Sequence, residues 1–339
     1  MIDLRSDTIT KPTPEMLQAM MSAEVGDDVF GDDPTVNALQ EKVSSLFGME
    51  AALYCPSGTM TNQIAMRIHT RPQDEVICHK YSHVYLYEGG GMMYNSMLSP
   101  KLLEGDRGMI SGEQVAESIN PDDIHFPKSS LVVLENTMNK GGGAVYELED
   151  IQEIRKVCDE KHLKLHLDGA RFFNAIVKTG ENPADYGQLF DTISICFSKG
   201  LGAPVGSVLL GTNDQIKEAK RVRKVFGGGM RQAGYLAAAC IYALDNNVKR
   251  LADDHNRAIE IGKCLEELSF IDEVMPVDTN IVIGKLINEK SEKWLLEELE
   301  KSGILAVGFG KGLVRFVTHL DFNDKDLDQF TTAIRMIKD

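Results

Sequence analysis

Residues 163–171, LKLHLDGAR, and residues 192–206, TISICFSKGLGAPVG, decide the fold of this chain. In each stretch, apolar residues alternate with polar or small ones, and this period of two predicts a β-strand. The first strand ends at Asp168, and the second leads into a glycine-rich turn that carries Lys199. Ligands of open α/β sheets bind just beyond the carboxyl ends of the strands, so both side chains are expected to meet there.

An acid and a lysine in this arrangement match what an enzyme needs in order to use pyridoxal 5'-phosphate (PLP). The lysine amine bonds to the aldehyde of the cofactor, and the carboxylate keeps the pyridine nitrogen protonated, which makes the ring an electron sink. Each residue alone has a commoner explanation, because a strand-end aspartate usually caps a helix and a lone lysine in a turn is usually solvated. The two together, on separate strand ends with room for a crossover between them, are much more specific for PLP.

The composition is that of an ordinary globular protein, long enough for two domains. The 339 residues are 43% hydrophobic and 26% charged, and the net charge is −15. This charge argues against nucleic acid or an anionic membrane as a partner. An anionic small substrate therefore needs a local cluster of Arg and Lys side chains.

The cysteines and the N-terminal residues favour a cytoplasmic location. The six cysteines are scattered, without a C-x-x-C pair, and are expected to be reduced and mostly buried. The first residues, MIDLRSDT, lack the apolar core of a signal peptide. The longest uncharged apolar stretch, GYLAAACIYAL at 234–244, is too short to span a bilayer.

Composition divides the chain into three parts. Residues 1–33, rich in Asp, Gly, Pro and Thr, are expected to form an N-terminal arm with one short helix. Residues 34–245 are predicted to form the large, PLP-binding domain. From residue 246 the chain changes to long charged helices with two short strand patterns, so 246–339 predict a smaller C-terminal α+β domain.

The segment that begins with AALYC at residue 51 predicts a phosphate site. A short apolar strand runs into Ser57, Gly58 and Thr59 at the start of a helical stretch. Gly58 lets the backbone approach closely, and the N–H groups of a helix N-terminus attract an anion. The alternative is a plain helix cap, which needs no ligand.

Two histidines, His79 and His83, are four residues apart, and Glu88 follows them. On a helix, such a pair could bind zinc. The glycine run and the aromatic residues of this segment fit a loop better, and no H-E-x-x-H motif is present. A metal site is therefore not predicted here.

Residues 166–175, HLDGARFFNA, and residues 198–207, SKGLGAPVGS, are similar to the threonine aldolase family, a branch of the fold type I PLP enzymes. The resemblance extends over nearly the whole chain, from LRSDT at 4–8 to VRFVTH at 314–319. It implies an α/β fold of type I, in which helices flank a mainly parallel sheet and a smaller α+β domain lies at the C-terminus.

The resemblance also assigns roles to individual residues. Lys199 and Asp168 are expected to act in catalysis, with His83 stacked on the PLP ring and Tyr87 in the substrate pocket. The residues that it assigns to the cofactor are Ser57, Gly58, Thr59, His83, Asp168, Arg171, Ser198, Lys199, Lys224 and Arg231. The residues that it assigns to the substrate are Ser6, Tyr87, Arg171 and Arg315, with Ser6 and the two arginines on its carboxylate.

For three of these residues the sequence alone leaves an alternative open. Lys224 and Arg231 belong to a basic, glycine-rich stretch that could be a solvated helix face. Arg315 lies between apolar neighbours and needs a carboxylate, which could be one of the protein's own acids. The arm and the stretch at 217–231 have no obvious partner within one subunit, so a homo-oligomer is predicted, a dimer at least and a tetramer built as a dimer of dimers.

Two histidines are candidates for the general base, since imidazole has the unperturbed pKa nearest to neutral pH. One is His83, and the other is His125, which the resemblance places near the substrate hydroxyl. Because no third residue visibly fixes either ring, a low-specificity enzyme is expected. One departure from the family is LENTMN at 134–139, where Met138 replaces a histidine. It leaves the lysine chemistry untouched and bears on substrate preference.

The implied function is PLP-dependent retro-aldol cleavage of L-threonine or L-allo-threonine to glycine and acetaldehyde. One alternative is a related PLP lyase for other β-hydroxy or β-substituted amino acids, such as phenylserine. Another is a PLP-binding protein without turnover. The joint presence of Lys199, Asp168, Arg171 and Arg315 speaks against the last of these.

Overall fold

Three β-sheets, one of only two strands, and the helices around them make up the structure, a computed structural model that describes residues 1–338. The strands are β1 Ile2–Asp3, β2 Ala51–Cys55, β3 Glu75–His79, β4 Ser99–Leu103, β5 Ser129–Glu135, β6 Lys164–Gly169, β7 Thr192–Cys196, β8 Ser207–Gly211, β9 Ile271–Val274, β10 Ile281–Leu286, β11 Ile304–Leu305, β12 Val307–Gly310 and β13 Leu313–Val317. The α-helices are α1 Pro14–Met21, α2 Pro34–Phe47, α3 Gly58–His69, α4 His83–Leu86, α5 Gly91–Ser96, α6 Gly112–Ser118, α7 Leu148–Lys161, α8 Phe172–Thr179, α9 Pro183–Leu189, α10 Asn213–Val225, α11 Gly234–Asn246, α12 Leu251–Glu266, α13 Glu292–Lys301 and α14 Asp324–Arg335.

The large sheet has seven strands in the order β2-β8-β7-β6-β5-β3-β4. The strands run parallel, except that β8 is antiparallel to both of its neighbours. Every residue of β5 and β7 is buried, as expected for strands covered by helices on both faces. Because β6 pairs directly with β7, and Asp168 lies opposite Ser194, the acid and the Lys199 turn leave the sheet at the same edge.

Local sequence explains where the helices begin and end. Asp33 caps α2 by accepting the N–H groups of Thr35 and Val36, and Pro34 occupies the first turn. The helix ends at Gly48, whose φ of 61° is in the left-handed region that glycine adopts without strain. These caps fix the two ends of α2. After Gly48 the chain turns toward β2 and enters the large sheet.

The small sheet is antiparallel, with the order β12-β13-β10-β9. Strands β10 and β13 are the two strand patterns predicted in the C-terminal part. The helices α12, α13 and α14 pack with this sheet around a second apolar cluster, which includes Phe316 and Phe330. A mainly parallel sheet followed by a smaller C-terminal α+β unit confirms the predicted fold class, while the boundaries at residues 33 and 245 stay a prediction.

The N-terminal arm is attached to the C-terminal part of the same chain. Strand β1 pairs in parallel with β11, and Leu4 is buried in the second apolar cluster.

Within residues 1–338, no helix is long and apolar enough to cross a lipid bilayer. All six cysteines are free thiols with buried side chains.

Candidate active site

A cavity of about 410 Å³ lies beyond the carboxyl ends of the parallel strands, between the large sheet and the β12–β13 hairpin. The arm, the large sheet and the C-terminal part all contribute to its wall. The lining residues are Ser6, Thr8, His83, Tyr87, Glu135, Asn139, Lys140, Ala170, Arg171, Lys199, Val307, Gly308, Phe309 and Arg315.

Lys199 reaches this cavity from a turn that is tied down on both sides. Its carbonyl oxygen accepts hydrogen bonds from the Thr10 hydroxyl at 3.0 Å and from the Gly202 N–H at 2.8 Å. Two residues further along the turn, the Leu201 carbonyl oxygen accepts a hydrogen bond from the side-chain N–H of Asn247 at 2.7 Å. Among residues 1–338, no carboxylate forms an ion pair with Lys199, so its amine is available to a ligand.

Asp168 ends strand β6 and is 1% exposed. Its carboxylate accepts the side-chain N–H of Asn62 at 2.9 Å and the Ala170 N–H at 3.1 Å. No cation of the described chain pairs with it. A buried carboxylate held by neutral donors alone still requires a positively charged partner.

The N-terminus of α3 lies beside strand β7, the strand that leads to Lys199. A Cβ atom at Gly58 would lie 2.4 Å from the Cys196 sulfur, so only glycine permits this approach. Ser57 caps the helix by accepting the Met60 N–H at 3.2 Å, and both Ser57 and Thr59 are exposed. The first-turn N–H groups next to two hydroxyls form an anion site that adjoins the cavity without lining it.

His83 is the first residue of α4, whereas His79 is the last residue of β3, so the two rings do not share a helix face. The His79–His83 pair therefore lacks the helical i,i+4 geometry of a zinc site. Nδ1 of His83 lies 3.1 Å from Oε1 of Glu88. Burial disfavours the charged imidazole, but the Glu88 hydrogen bond and the Asp168 charge outweigh it and raise the pKa of His83. The half-exposed Tyr87 ring lies 5.7 Å from the His83 ring, centroid to centroid, and lines the cavity.

Glu135, the last residue of β5, is a buried carboxylate in the cavity wall. Its two oxygens accept the N–H groups of His83, at 2.7 Å, and of Asn139, at 2.9 Å. Burial and the nearby charge of Asp168 raise the pKa of Glu135 to about 7, although the two donors favour its charged form.

This raised pKa predicts a pH-dependent stability. The folded protein keeps the Glu135 proton up to about pH 7, while the unfolded chain releases it near 4.5, so folding loses stability as pH rises through this window. The variant Glu135→Gln cannot ionise. Relative to the wild type, its free energy of unfolding should therefore improve by about 2 kcal/mol between pH 5 and pH 8. Urea unfolding of both PLP-free proteins at the two pH values measures this, and a pH-independent difference would contradict it.

Arg171 and Arg315 have different partners. Arg171 is held in a two-point contact by the buried Asp7, with N–O distances of 2.7 and 2.6 Å. Burial alone would raise the pKa of Asp7, but the Arg171 charge lowers it to about 2. Arg315 binds only neutral oxygens, the Asn139 side chain at 2.8 Å and the Arg5 carbonyl at 2.9 Å.

Arg315 is therefore a buried cation without a carboxylate among the described residues. Burial and the nearby Arg171 charge lower the pKa of Arg315 to about 10, and its guanidinium stacks 4.7 Å from the Phe309 ring centroid. The alternative of a salt bridge to the protein's own acids is wrong. Ser6, which accepts the Thr8 N–H at 3.2 Å, lines the same cavity.

Of the predicted site residues, His125, Lys224 and Arg231 lie on the surface of their own chain. His125 lies in the loop before β5 with its side chain 80% exposed, where it pairs with Asp123 at 2.7 Å. Arg231 pairs with Asp27 at 2.8 Å, and Lys224 is exposed at the end of α10. Their roles toward a ligand stay a prediction. Ser198 is half-buried beside Lys199 and, like Asp168 and the residues of the α3 anion site, is not among the lining residues.

Met138 is turned away from the cavity. Its side chain packs against Gly108, where a Cβ atom would lie 2.4 Å from the Met138 Cγ, and its N–H donates to the Ala144 carbonyl at 2.9 Å. The departure from LENTHN therefore alters packing behind the β5 end, and no acid or base is lost from the cavity wall.

Several residues that build the site carry no signal in the sequence. They are Asp7, Asn62, Asn139 and Phe309. Asp7 lies in the LRSDT motif, which could have suggested it, but its partner Arg171 is 164 positions away. The others act through contacts that only the fold creates.

Comparisons with known proteins agree with this geometry. Residues 3–289 match the model of the beta-eliminating lyase family. The chain is 45% identical to the low-specificity L-threonine aldolase of Escherichia coli K12 over 328 residues, which cover 96% of each protein. It is 39% identical to the probable low-specificity L-threonine aldolase 2 of Arabidopsis thaliana over 345 residues, covering 99% of this chain and 97% of the relative. The solved structure of the Leishmania major threonine aldolase superposes with a TM-score of 0.86 over 99% of each chain, at 21% identity, and shows the same fold.

Proposed function

Since this chain belongs to the beta-eliminating lyase family and, within it, to the threonine aldolases, we propose that its cavity cleaves L-threonine and L-allo-threonine to glycine and acetaldehyde. The fold is that of the fold type I PLP enzymes, as predicted, and the protein is a carbon–carbon lyase. The observation that carries the proposal is that the free amine of Lys199 and the unpaired guanidinium of Arg315 line the same cavity. The buried Asp168 lies on the strand next to the one that leads to Lys199.

The donor set fits PLP. An aldehyde requires an amine, which Lys199 supplies in the cavity. A protonated ring nitrogen requires a buried carboxylate, and Asp168 has no other cation. A phosphate requires N–H and hydroxyl donors, which the first turn of α3 offers with Ser57 and Thr59. When bound, PLP supplies the electron sink for cleavage of the Cα–Cβ bond.

The chain's own groups bind and orient the amino acid. The substrate carboxylate fits the planar fork of Arg315, with the Ser6 hydroxyl on the same wall. Arg171 binds Asp7 through Nε and Nη2 and lines the same cavity. In this proposal both arginines face the substrate carboxylate, with Arg315 as the one that has no acid partner.

The β-hydroxyl proton requires a base within the cavity. His83 lies at the cavity, with Nδ1 committed to Glu88, which leaves Nε2 for the substrate or a water molecule. Its raised pKa favours the charged form, so His83 accepts the proton only after losing its own. His125 stays the second candidate and would have to come from another copy of the chain.

The test is aldehyde release by the purified protein supplied with PLP. Acetaldehyde should form from L-threonine and L-allo-threonine, but not from L-2-aminobutyrate, which lacks the β-hydroxyl group. Release of benzaldehyde from phenylserine, without acetaldehyde from threonine, would favour the related lyase. A bound cofactor without any aldehyde would favour the PLP-binding protein.

The variant Arg315→Lys should raise KM for L-threonine roughly 10- to 100-fold, because the lysine keeps the charge and loses the two-point contact. Steady-state kinetics measure KM and kcat. Arg335→Gln, which removes an exposed arginine paired with Glu267 on the last turn of α14, is the control. An unchanged KM in Arg315→Lys would place the substrate carboxylate elsewhere.

We further propose a cytoplasmic homotetramer, built as a dimer of dimers. The large apolar side chains of Phe30, Tyr94 and Val225 are exposed on a single chain, and so are His125, Lys224 and Arg231. In the assembly, these polar groups would approach the cavity of a neighbouring copy. The buried, unpaired thiols support a reducing compartment.

Mixing experiments can test this assembly. Lys199→Ala and Arg231→Ala should each be nearly inactive alone. If Arg231 serves a neighbouring cavity, unfolding and refolding the two together should restore part of the activity, since hybrid assemblies contain one intact cavity. Sedimentation of an active monomer would refute the proposal.

A further inference from the structure

The side-chain amide of Asn62 lies between two buried carboxylates at the base of the site. Asn62 is on α3 and is 1% exposed. One N–H of its amide donates to Oε1 of Glu88 at 2.8 Å, and the other donates to Oδ2 of Asp168 at 2.9 Å. The two N–H groups of this one amide therefore bind two different carboxylates.

The orientation of this amide is determined by His166. Nε2 of His166 lies 3.1 Å from the Asn62 side-chain oxygen, while Nδ1 lies 2.8 Å from the Thr192 hydroxyl and 3.1 Å from the Thr192 carbonyl oxygen. Burial lowers the pKa of His166 to about 4. A flipped amide would point its oxygen at two carboxylates, so the Asn62 nitrogen faces Glu88 and Asp168 and its oxygen faces His166.

The contacts continue from His166 to His69 through the Thr192 side chain. Nε2 of His69 lies 2.9 Å from the Thr192 hydroxyl, which also lies 2.8 Å from Nδ1 of His166. Burial lowers the pKa of His69 to about 3. The Asn62 amide is therefore supported from behind by a buried polar network.

The two carboxylates serve different parts of the site. Asp168 is the acid expected at the ring nitrogen, and Glu88 accepts from His83 at the cavity wall. The nearest oxygen atoms of the two carboxylates and the His83 nitrogen all lie within 4.8 Å of one another. Like charges this close repel strongly when they are buried, unless donors lie between them.

We propose that Asn62 is a positioning residue that holds the carboxyl groups of Asp168 and Glu88 side by side, and so joins the acid of the ring nitrogen to His83. This inference rests on the proposed PLP-dependent function. Without the amide, Asp168 keeps only the Ala170 N–H, and the repulsion from Glu88 is unopposed. Asn62 touches no substrate and acts through the two carboxylates alone.

Asn62→Asp and Asn62→Ala test the proposal, with Gln63→Ala as the matched control. Asn62→Ala removes the two donors without adding a charge, whereas Asn62→Asp keeps the shape of asparagine and places a third carboxylate beside Glu88 and Asp168. Gln63 is the next residue of α3, is equally buried and donates to Glu88 at 2.6 Å, without contacting Asp168. Comparing the variants isolates the contact with Asp168.

Three quantities are measured: the dissociation constant of PLP, the pH midpoint of the visible band of the bound cofactor, and kcat for L-threonine. Both Asn62 variants should bind PLP roughly 10- to 100-fold more weakly, as expected for the loss of hydrogen bonds to charged groups. They should also shift the pH midpoint by about one unit or more. Gln63→Ala should keep PLP affinity within about threefold and leave the midpoint in place.

Melting temperatures of the PLP-free proteins show whether a variant is folded. Weaker PLP binding and a shifted midpoint in folded Asn62→Ala, but not in Gln63→Ala, support the proposal. Equal PLP affinity and an equal midpoint in Asn62→Ala and Gln63→Ala would overturn it, even if both have low kcat. A wild-type protein that does not bind PLP or release aldehyde would instead contradict the proposed function.

Discussion

Replacing Lys199 by alanine should reduce aldehyde release from L-threonine by roughly 10³-fold or more, the scale of loss when a covalent group is removed from an active site. The structure gives the reason. Lys199 extends into the cavity from a turn held by Thr10 and Asn247, and its amine has no acid partner within the described chain. The visible absorbance of the bound cofactor should disappear with the activity.

Lys140 provides the control for this experiment, because it is the other lysine of the cavity. Its amine donates to the Phe309 carbonyl at 3.1 Å and lies 3.6 Å from the centroid of the Phe309 ring, so it is already engaged. Lys140→Ala should keep the visible absorbance. Borohydride reduction of the wild type should attach the cofactor to the peptide that contains Lys199, and attachment to Lys140 would refute the assignment.

Asp168→Asn should leave PLP bound but lower kcat by roughly 10²- to 10³-fold, the usual cost of losing one preorganised electrostatic contact in an active site. A neutral amide no longer holds the ring nitrogen protonated, and its NH2 group would face one of the two donors, from Asn62 on Oδ2 or from Ala170 on Oδ1, that now bind the carboxylate. Absorbance reports the bound cofactor, and single-turnover kinetics report the cleavage step.

Asp191, at the opposite edge of the sheet, provides the control for Asp168→Asn. It precedes β7 and pairs with Arg155 at 2.8 Å and Lys164 at 2.7 Å, remote from the cavity. Asp191→Asn should lower the melting temperature and leave kcat unchanged. If Asp168→Asn had near-normal kcat, Asp168 would not control the ring nitrogen.

The core of the fold could be predicted because it rests on local patterns. The alternation before Asp168 and before Lys199 marks two strands, and the uninterrupted apolar run of β5 marks a strand buried on both faces. Parallel pairing then places the strand ends at one edge, which is why Asp168 and Lys199 could be predicted to meet from spacing alone. Arg315 was likewise identified because a charge between apolar neighbours on a short strand needs an anion.

Residues whose role depends on distant partners could not be predicted in this way. Arg171 was expected near the substrate and lines the cavity, but nothing in the sequence indicates that Asp7 is its ion-pair partner. Asn62 looks like any polar residue of an amphipathic helix until the fold places Glu88 and Asp168 on either side of its amide. His125 has a motif but no local rule that fixes its loop, and its exposure appears only in the structure.

The pairing of β1 with β11 also bears on how the protein is made. Ile2 lies opposite Ile304, and the Leu4 carbonyl accepts the Val317 N–H at 2.9 Å. During synthesis on a ribosome, the first residues must therefore wait without these partners until nearly the whole polypeptide has emerged. The large sheet can form earlier, from residues 51–211. The cavity wall that carries Ser6 and Arg315 is thus completed last. A nascent or prematurely terminated chain would therefore have Lys199 in place before it could bind the carboxylate of an amino acid.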